Sequence, residues 1–225
     1  MLDVAIRAGE VDPAHLTRRE VPSLPVGPAL HSLLPDGLRR GSIVSVSGST
    51  SLLLALLGAP SAQGAWCALV GDWSISAEAA AEYGVELSRL AIVPAPDAKW
   101  STAVGALLDA VDVVVAQVPN QVTNGDIRRL AARARSHDAV FIPFLTGDTT
   151  WPGAEVRLSA QDGNWMGIGA GHGRLRQRRL TVAIRGRGSA ARPRSALLWL
   201  PAAVGGVQEV DPEGTVVTLP MARAG

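Results

Sequence analysis

The chain has 225 residues, 47% apolar and 18% charged, which excludes a disordered polypeptide and suffices for one domain with a full hydrophobic core. Its 21 basic and 20 acidic residues leave a net charge of +1, which argues against a global bias toward nucleic acid or membrane surfaces. That average hides an asymmetry: Lys99 is the only lysine, the other basic residues are arginine, and no acid occurs from Gly163 to Gln208.

Residues 1–40 are broken by Pro13, Pro22, Pro25, Pro28 and Pro35 and read as an amino-terminal arm or lead-in. From Gly41 a regular alternation begins. Ser42–Ser47 is a short β-branched strand, followed by a turn at Gly48, Ser49, Thr50 and Ser51. Leu52–Leu57 then forms a helix that Gly58 is placed to end as a C-cap. Trp66–Val70 is a second strand, Ala77–Tyr83 a short helix stopped by Gly84, and Leu90–Val93 a third strand. Ser101–Val111 is helical, with Val104, Leu107, Leu108 and Val111 on one face at i, i+3, i+4 and i+7. Asp112–Ala116 is a fourth strand, Asp126–Ser136 an amphipathic helix, and Ala139–Leu145 a fifth strand.

Short apolar strands alternating with helices predict an α/β fold whose mostly parallel sheet is flanked by helices on both faces. After Thr146 the texture changes. Glu155–Ser159, Trp165–Ile168, Leu180–Ile184, Ala196–Leu200 and Thr215–Leu219 are strand-like and separated by Gly- and Arg-rich turns. They predict antiparallel hairpins that extend the sheet from about residue 150. The expected organisation is an arm over 1–40, a core over 41–205, and a strand and tail over 206–225.

One cysteine, Cys67, excludes an intramolecular disulfide and a cysteine zinc site, and fits a reducing compartment. His15, His31, His137 and His172 are too widely separated to form a metal-ligand pair on one helix. No apolar run reaches the roughly 18–20 residues of a membrane span, and the sequence from Met1 to Arg7 lacks the pattern of a signal peptide. The expectation is a cytoplasmic protein with no membrane contact, metal or cofactor.

A strand, a Gly-Ser turn and a helix stand where a P-loop would lie. That loop needs Gly-x-x-x-x-Gly-Lys-Ser/Thr, so that backbone N–H groups and the lysine hold phosphates while the hydroxyl holds magnesium. Counted from Gly48, the second glycine, the lysine and the hydroxyl are replaced by Leu53, Leu54 and Ala55. No shift of register rescues the motif, because no lysine precedes Lys99. The fourth strand ends in Gln117, where a magnesium-binding aspartate would stand, and Asp112 lies at its opposite end. Asp72, just past the second strand, is a surviving carboxylate with nothing to activate. Gly48–Ser51 thus reads as a tight strand-to-helix turn whose Ser/Thr residues cap the helix, a degenerate nucleotide loop. No catalytic residue is expected.

The order of these pieces resembles the RecA-like core. Leu33-Leu34-Pro35-Asp36-Gly37-Leu38-Arg39-Arg40-Gly41-Ser42-Ile43 resembles that superfamily's lead-in to its first strand. Ala80-Ala81-Glu82-Tyr83-Gly84-Val85-Glu86-Leu87-Ser88-Arg89-Leu90 resembles the stretch before its third strand. Val111–Val118 resembles its Walker B strand with the aspartate replaced. Trp66–Gly71, Trp165–Leu175, Arg185–Gly188 and Leu198–Pro201, in that order, resemble the inducible-mutagenesis accessory proteins of ImuA type and their actinobacterial ImuA-prime branch.

This resemblance implies a RecA-like pseudo-ATPase that serves the DNA-damage (SOS) response as an accessory factor of translesion synthesis and induced mutagenesis. The implied partner is a Y-family polymerase homologue of ImuB type. Through it, an error-prone DnaE-type polymerase and the sliding clamp are implied indirectly. Self-association and a RecA contact stay open, as do three alternatives: a stand-alone DNA-binding module, a division-inhibitor-like protein of the SOS response, and an active RecA-type ATPase.

The acid-free segment carries Arg174, Arg176, Arg178, Arg179, Arg185, Arg187, Arg192 and Arg194. Guanidinium groups suit phosphates, and dense cationic patches bind nucleic acid in a salt-dependent way. Strand alternation places Arg174, Arg176 and Arg178 on one face. No aromatic residue interleaves with these arginines along the sequence; Trp165 and Trp199 only flank them. DNA contact, partner docking and a plain solvated face stay open here. Trp100, Trp151, Trp165 and Trp199 are expected mainly to fill core volume, and His172 to be a structural loop residue. The acids Glu209, Asp211 and Glu213 are candidates to pair with the arginines.

Overall fold

The computed structural model describes residues 22–94, 97–147, 149–168 and 173–210. Most of the expected arm, the His172 loop and the expected strand at Thr215–Leu219 lie outside the described residues.

Residues 22–40 are part of the domain. Strand β1 (Ser23–Leu24) pairs antiparallel with β2 (Leu38–Arg39) around a 3-10 turn at Pro28–Leu30. Leu24, Val26, Leu30, Leu33, Leu34 and Leu38 are buried in the main core. The boundary expected at residues 40/41 therefore falls within packed structure.

The alternation follows. Strand β3 (Val44–Ser47) leads into helix α1 (Thr50–Ala62), and β4 (Cys67–Val70) into α2 (Ala77–Glu82). Strand β5 (Leu90–Val93) leads into α3 (Trp100–Leu108), β6 (Val113–Gln117) into α4 (Asn124–Ser136), and then comes β7 (Val140–Leu145). The carboxy-terminal part is β8 (Val156–Ile168), β9 (Gly173–Gly186), β10 (Arg194–Trp199) and β11 (Gln208–Glu209). Nine strands form one sheet in the order β11-β10-β9-β8-β3-β7-β6-β4-β5. Pairing is parallel from β5 through to β8 and antiparallel from β8 to β11.

The two-residue period of the strands divides the interior. Val44, Val46, Val113, Val115, Val140 and Ile142 face a core shared with α1 and the lead-in. Val114, Ala116, Phe141 and Leu145 face a second core filled by Trp100, Val104, Leu108, Leu130, Ala134 and Trp151. Strands buried on both faces read as continuous apolar runs, which is why Val113-Val114-Val115-Ala116 was legible. Helix α1 buries all of Leu52–Leu57, so it is apolar around its whole circumference. Helix α4 shows the opposite pattern. It buries Leu130 and Ala134 and is closed by a Thr123/Asp126 capping box, while Arg133 donates to Asp109 at 2.7 Å, just past the end of α3.

Three expectations are corrected. Helix α1 does not stop at Gly58; it continues through Pro60 to Ala62, because burial of the segment outweighs local stop signals. Gly58 is required for another reason: a Cβ there would overlap the Tyr83 carbonyl oxygen. Glu155–Ser159 and Trp165–Ile168 are one strand, with a register shift between Gln161 and Asn164 where a turn was expected. Strand β8 itself runs parallel to β3, so the antiparallel extension begins at β9.

Candidate functional site

Open parallel sheets bind ligands at the carboxyl ends of their strands. At the end of β3, Gly48 has φ +85°, and a Cβ there would overlap the Ala160 carbonyl oxygen of β8. Close approach of two strands explains this glycine without a phosphate. The Ser49 hydroxyl is buried and accepts the N–H of Leu52 at 3.3 Å, as an N-cap does. Thr50 and Ser51 open α1, and Leu53, Leu54 and Ala55 are buried where the motif needs glycine, lysine and a hydroxyl.

Aromatic side chains pack nearby. Trp73 and Phe144 lie with ring centroids 5.4 Å apart, and both pack against the core that contains α1. Tyr83 sits beside Ser51, and burial holds its phenol above the ordinary tyrosine pKa. The indole nitrogen of Trp73 and the Tyr83 hydroxyl are both buried.

Gln117 ends β6 as expected and has a role that its position alone did not reveal. Its side-chain carbonyl accepts the Asp72 N–H at 3.0 Å, and its amide nitrogen donates to the Asp72 carbonyl at 2.9 Å. Gly71 (φ +126°) lies so close that a Cβ there would stand 2.7 Å from Gln117 Oε1. The side chain thus ties β6 to the β4 loop. An aspartate is shorter and carries no N–H, so it could not make both bonds. Asp112, at the opposite end of β6, accepts from Arg40 at 2.8 Å and from the Trp66 N–H at 2.9 Å. Among the described residues no group of three or more His, Cys, Asp or Glu could hold a metal ion.

The arginine segment lies mainly on β9 and splits between the two faces of the sheet. Leu180, Val182 and Ile184 face the main core, so Arg178 extends that face beyond it, while Arg176 is exposed within the register shift between the Met166–Gln177 and Ile168–Gly173 pairs. Arg179 and Arg185 point to the opposite face. Arg174 lies on β9 by its backbone. Arg187 and Arg192 are exposed in the connection to β10, and Arg194 is half-buried and donates to the Leu33 carbonyl at 2.9 Å. Arg194 is thus spent on anchoring the lead-in. Of the acids proposed to pair with the arginines, Glu209 instead accepts from Ser32 at 3.1 Å, and Asp211 and Glu213 lie outside the described residues.

The expectation of no interleaved aromatics is corrected by the register. Trp165 lies opposite Arg178, whose guanidinium stands 5.7 Å from the ring centroid, and Trp199 lies opposite Arg179. Trp165 is 46% exposed, whereas Trp100 and Trp151 are core residues as expected. Arg157 was missed altogether: it is exposed and lies directly opposite Arg185. The signal was present in the alternation Val156, Leu158, Ala160, which turns Arg157 to the other face.

Residues 32–153 match a family described as the MT3502 N-terminal domain. The uncharacterized protein Rv3395c of Mycobacterium tuberculosis is 35% identical over 128 residues, 56% of this chain. The aligned part spans 61% of that relative's length. The crystal structure of the RadB recombinase superposes with a TM-score of 0.63 over 84% of this chain and all of that one, at 17% identity. That likeness is one of fold, and it is RecA-like. The family match ends before β8, so the arginine-bearing strands lie outside it.

Proposed function

The chain belongs to the MT3502 N-terminal domain family, and from that membership and its RecA-like fold we propose a non-catalytic accessory and assembly factor of ImuA type. In this reading it serves damage-induced mutagenic translesion synthesis in the cytoplasm and binds a Y-family polymerase homologue of ImuB type. An error-prone DnaE-type polymerase and the sliding clamp are reached through that partner.

The observation that carries the proposal is the reuse of the nucleotide positions. Gln117 spends both ends of its amide on the Asp72 backbone, and the Gly48–Ser51 turn caps a helix with no lysine at its head. In this reading those positions hold neither a phosphate nor a magnesium ion. A RecA-like sheet without this chemistry is still a rigid scaffold for partners. The test is co-expression and co-purification with the ImuB-type homologue from the same genome. A stable stoichiometric complex is expected, and failure to form any complex would sink the accessory reading.

The exposed arginines favour a second reading, a DNA-binding module. It predicts affinity for DNA that falls steeply with salt and drops when Arg176, Arg178 and Arg179 are replaced by alanine.

A further inference from the structure

One face of the β8–β9–β10 extension is packed: Leu158, Leu180, Val182, Ile184 and Leu198 belong to the main core. Among the described residues, its opposite face has no such cover. Helices α3 and α4 pack over β6 and β7, while Gln161, Arg179, Arg185 and Leu197 remain exposed. One open face on an antiparallel sheet is ordinary. Two features of this one are not.

First, Arg157 and Arg185 lie directly opposite each other. Like charges so placed repel, with Cβ atoms about 5 Å apart. No carboxylate among the described residues forms an ion pair with either; the adjacent Glu155 is engaged by Arg39 at 3.2 Å. The pair is therefore destabilising unless an anion meets it. Second, the other end of the same face is apolar. Met166 is 46% and Leu197 40% exposed, and half-buried Trp199 stands beside Arg179. The positions between, Ser159, Gln161, Thr181, Ala183 and Ser195, are small or polar and uncharged.

From Arg185 to Arg179 the strand spans about 20 Å, and three strands about 4.8 Å apart give a face of a few hundred Å². That suits one polypeptide segment better than the roughly 800 Å² per partner of a standard domain interface. A phosphodiester strand would use the arginines and leave Met166 and Leu197 wet. A segment that is acidic at one end and apolar at the other would use both, and Arg and Trp are the side chains enriched in such contacts.

We propose that the open face of β8–β9–β10 docks an acidic, apolar-bearing segment of a protein partner, its acids on Arg157 and Arg185 and its apolar side chains on Leu197, Trp199 and Met166. The assignment rests on the accessory reading above, with the polymerase homologue as the partner.

The test is calorimetric titration of the full chain with the full-length ImuB-type homologue across a salt series. The variants are the double charge reversal Arg157→Glu/Arg185→Glu, the single Leu197→Asp, and the control Arg128→Glu/Arg135→Glu on α4. All these positions except Leu197 are exposed arginines, and thermal melting by circular dichroism verifies that each variant is folded. The double reversal is expected to weaken the complex about tenfold or more and to flatten its salt dependence, and Leu197→Asp to weaken it about fivefold. The control is expected to stay within about twofold. Wild-type complex formation that is indifferent to both face variants would overturn the docking assignment alone. So would loss of oligo-dT affinity in those variants with the protein complex intact, which would make the face a nucleic-acid surface. Absence of any complex with the wild-type chain would remove the accessory reading, and this assignment with it.

Discussion

Gln117 joins the end of β6 to the Asp72 backbone through both ends of its side-chain amide. The sequence reveals that a carboxylate is missing at the end of β6. The clamp on Asp72 was not legible, because it joins a side chain to backbone groups 45 residues away. Replacement Gln117→Asp is expected to destabilise the fold by about 1–3 kcal/mol, since one hydrogen bond is lost and a carboxylate faces a carbonyl oxygen. Urea unfolding measures this directly, and an unchanged midpoint would show that the clamp is incidental. Cys67 offers a chemical readout. Burial, and then the charge of Asp112, push its thiol pKa up to about 12. At pH 8 about one molecule in ten thousand would carry the thiolate. Native protein is therefore expected to resist disulfide-exchange reagents that label the urea-unfolded chain at once. Rapid stoichiometric labelling of native protein would contradict that burial.

Among the elements, α1 separates local propensity from tertiary demand. Glycine within a helix usually costs about 0.5–1 kcal/mol relative to alanine, so Gly58→Ala would be stabilising on propensity alone. Here a Cβ would overlap the Tyr83 carbonyl. The substitution is expected instead to destabilise by about 1–3 kcal/mol, as overpacking does. Thermal unfolding gives the sign, and a raised melting temperature would show that the approach of α1 to Tyr83 is looser than described. The same clash explains the misread helix end: the glycine was visible, but its neighbour was not. Helix α4 was legible to within two residues because its amphipathic pattern and cap agree. Its Asp126 is held below the usual carboxylate range, first by the Thr123 hydroxyl and then by Ser101. A depressed folded pKa contributes stability that is present above the unfolded value and lost as pH falls through the folded one. The stability gap between wild type and Asp126→Ala is thus expected to close as pH falls from neutral through and below the usual carboxylate range. A gap that persists undiminished in acid would assign the effect to something other than the ionised cap.

For the whole molecule, the parallel part of the fold was legible because fully buried strands are apolar runs and the intervening helices are marked by glycines and periodicity. The antiparallel part was only half legible. Strand existence could be read, but register, the shift between Gln161 and Asn164, and the pairings Trp165 with Arg178 and Arg157 with Arg185 are long-range facts. Those pairings divide an apparently single basic segment into two faces with different neighbours, one of them mixed with aromatic and aliphatic side chains. The near-neutral net charge conceals this division. In the proposed reading, the Gly48–Ser51 turn serves as a helix cap and Gln117 as a backbone clamp, and the sheet holds partners in place of a nucleotide. The most direct test is a thermal-shift titration with ATP and magnesium. A site with a dissociation constant one-hundredth of the ligand concentration would stabilise the fold by about 2.7 kcal/mol and raise the melting temperature by several degrees. The proposed pseudo-ATPase predicts no saturable, magnesium-dependent shift up to millimolar nucleotide; a saturable, magnesium-dependent shift of the wild-type chain would contradict it.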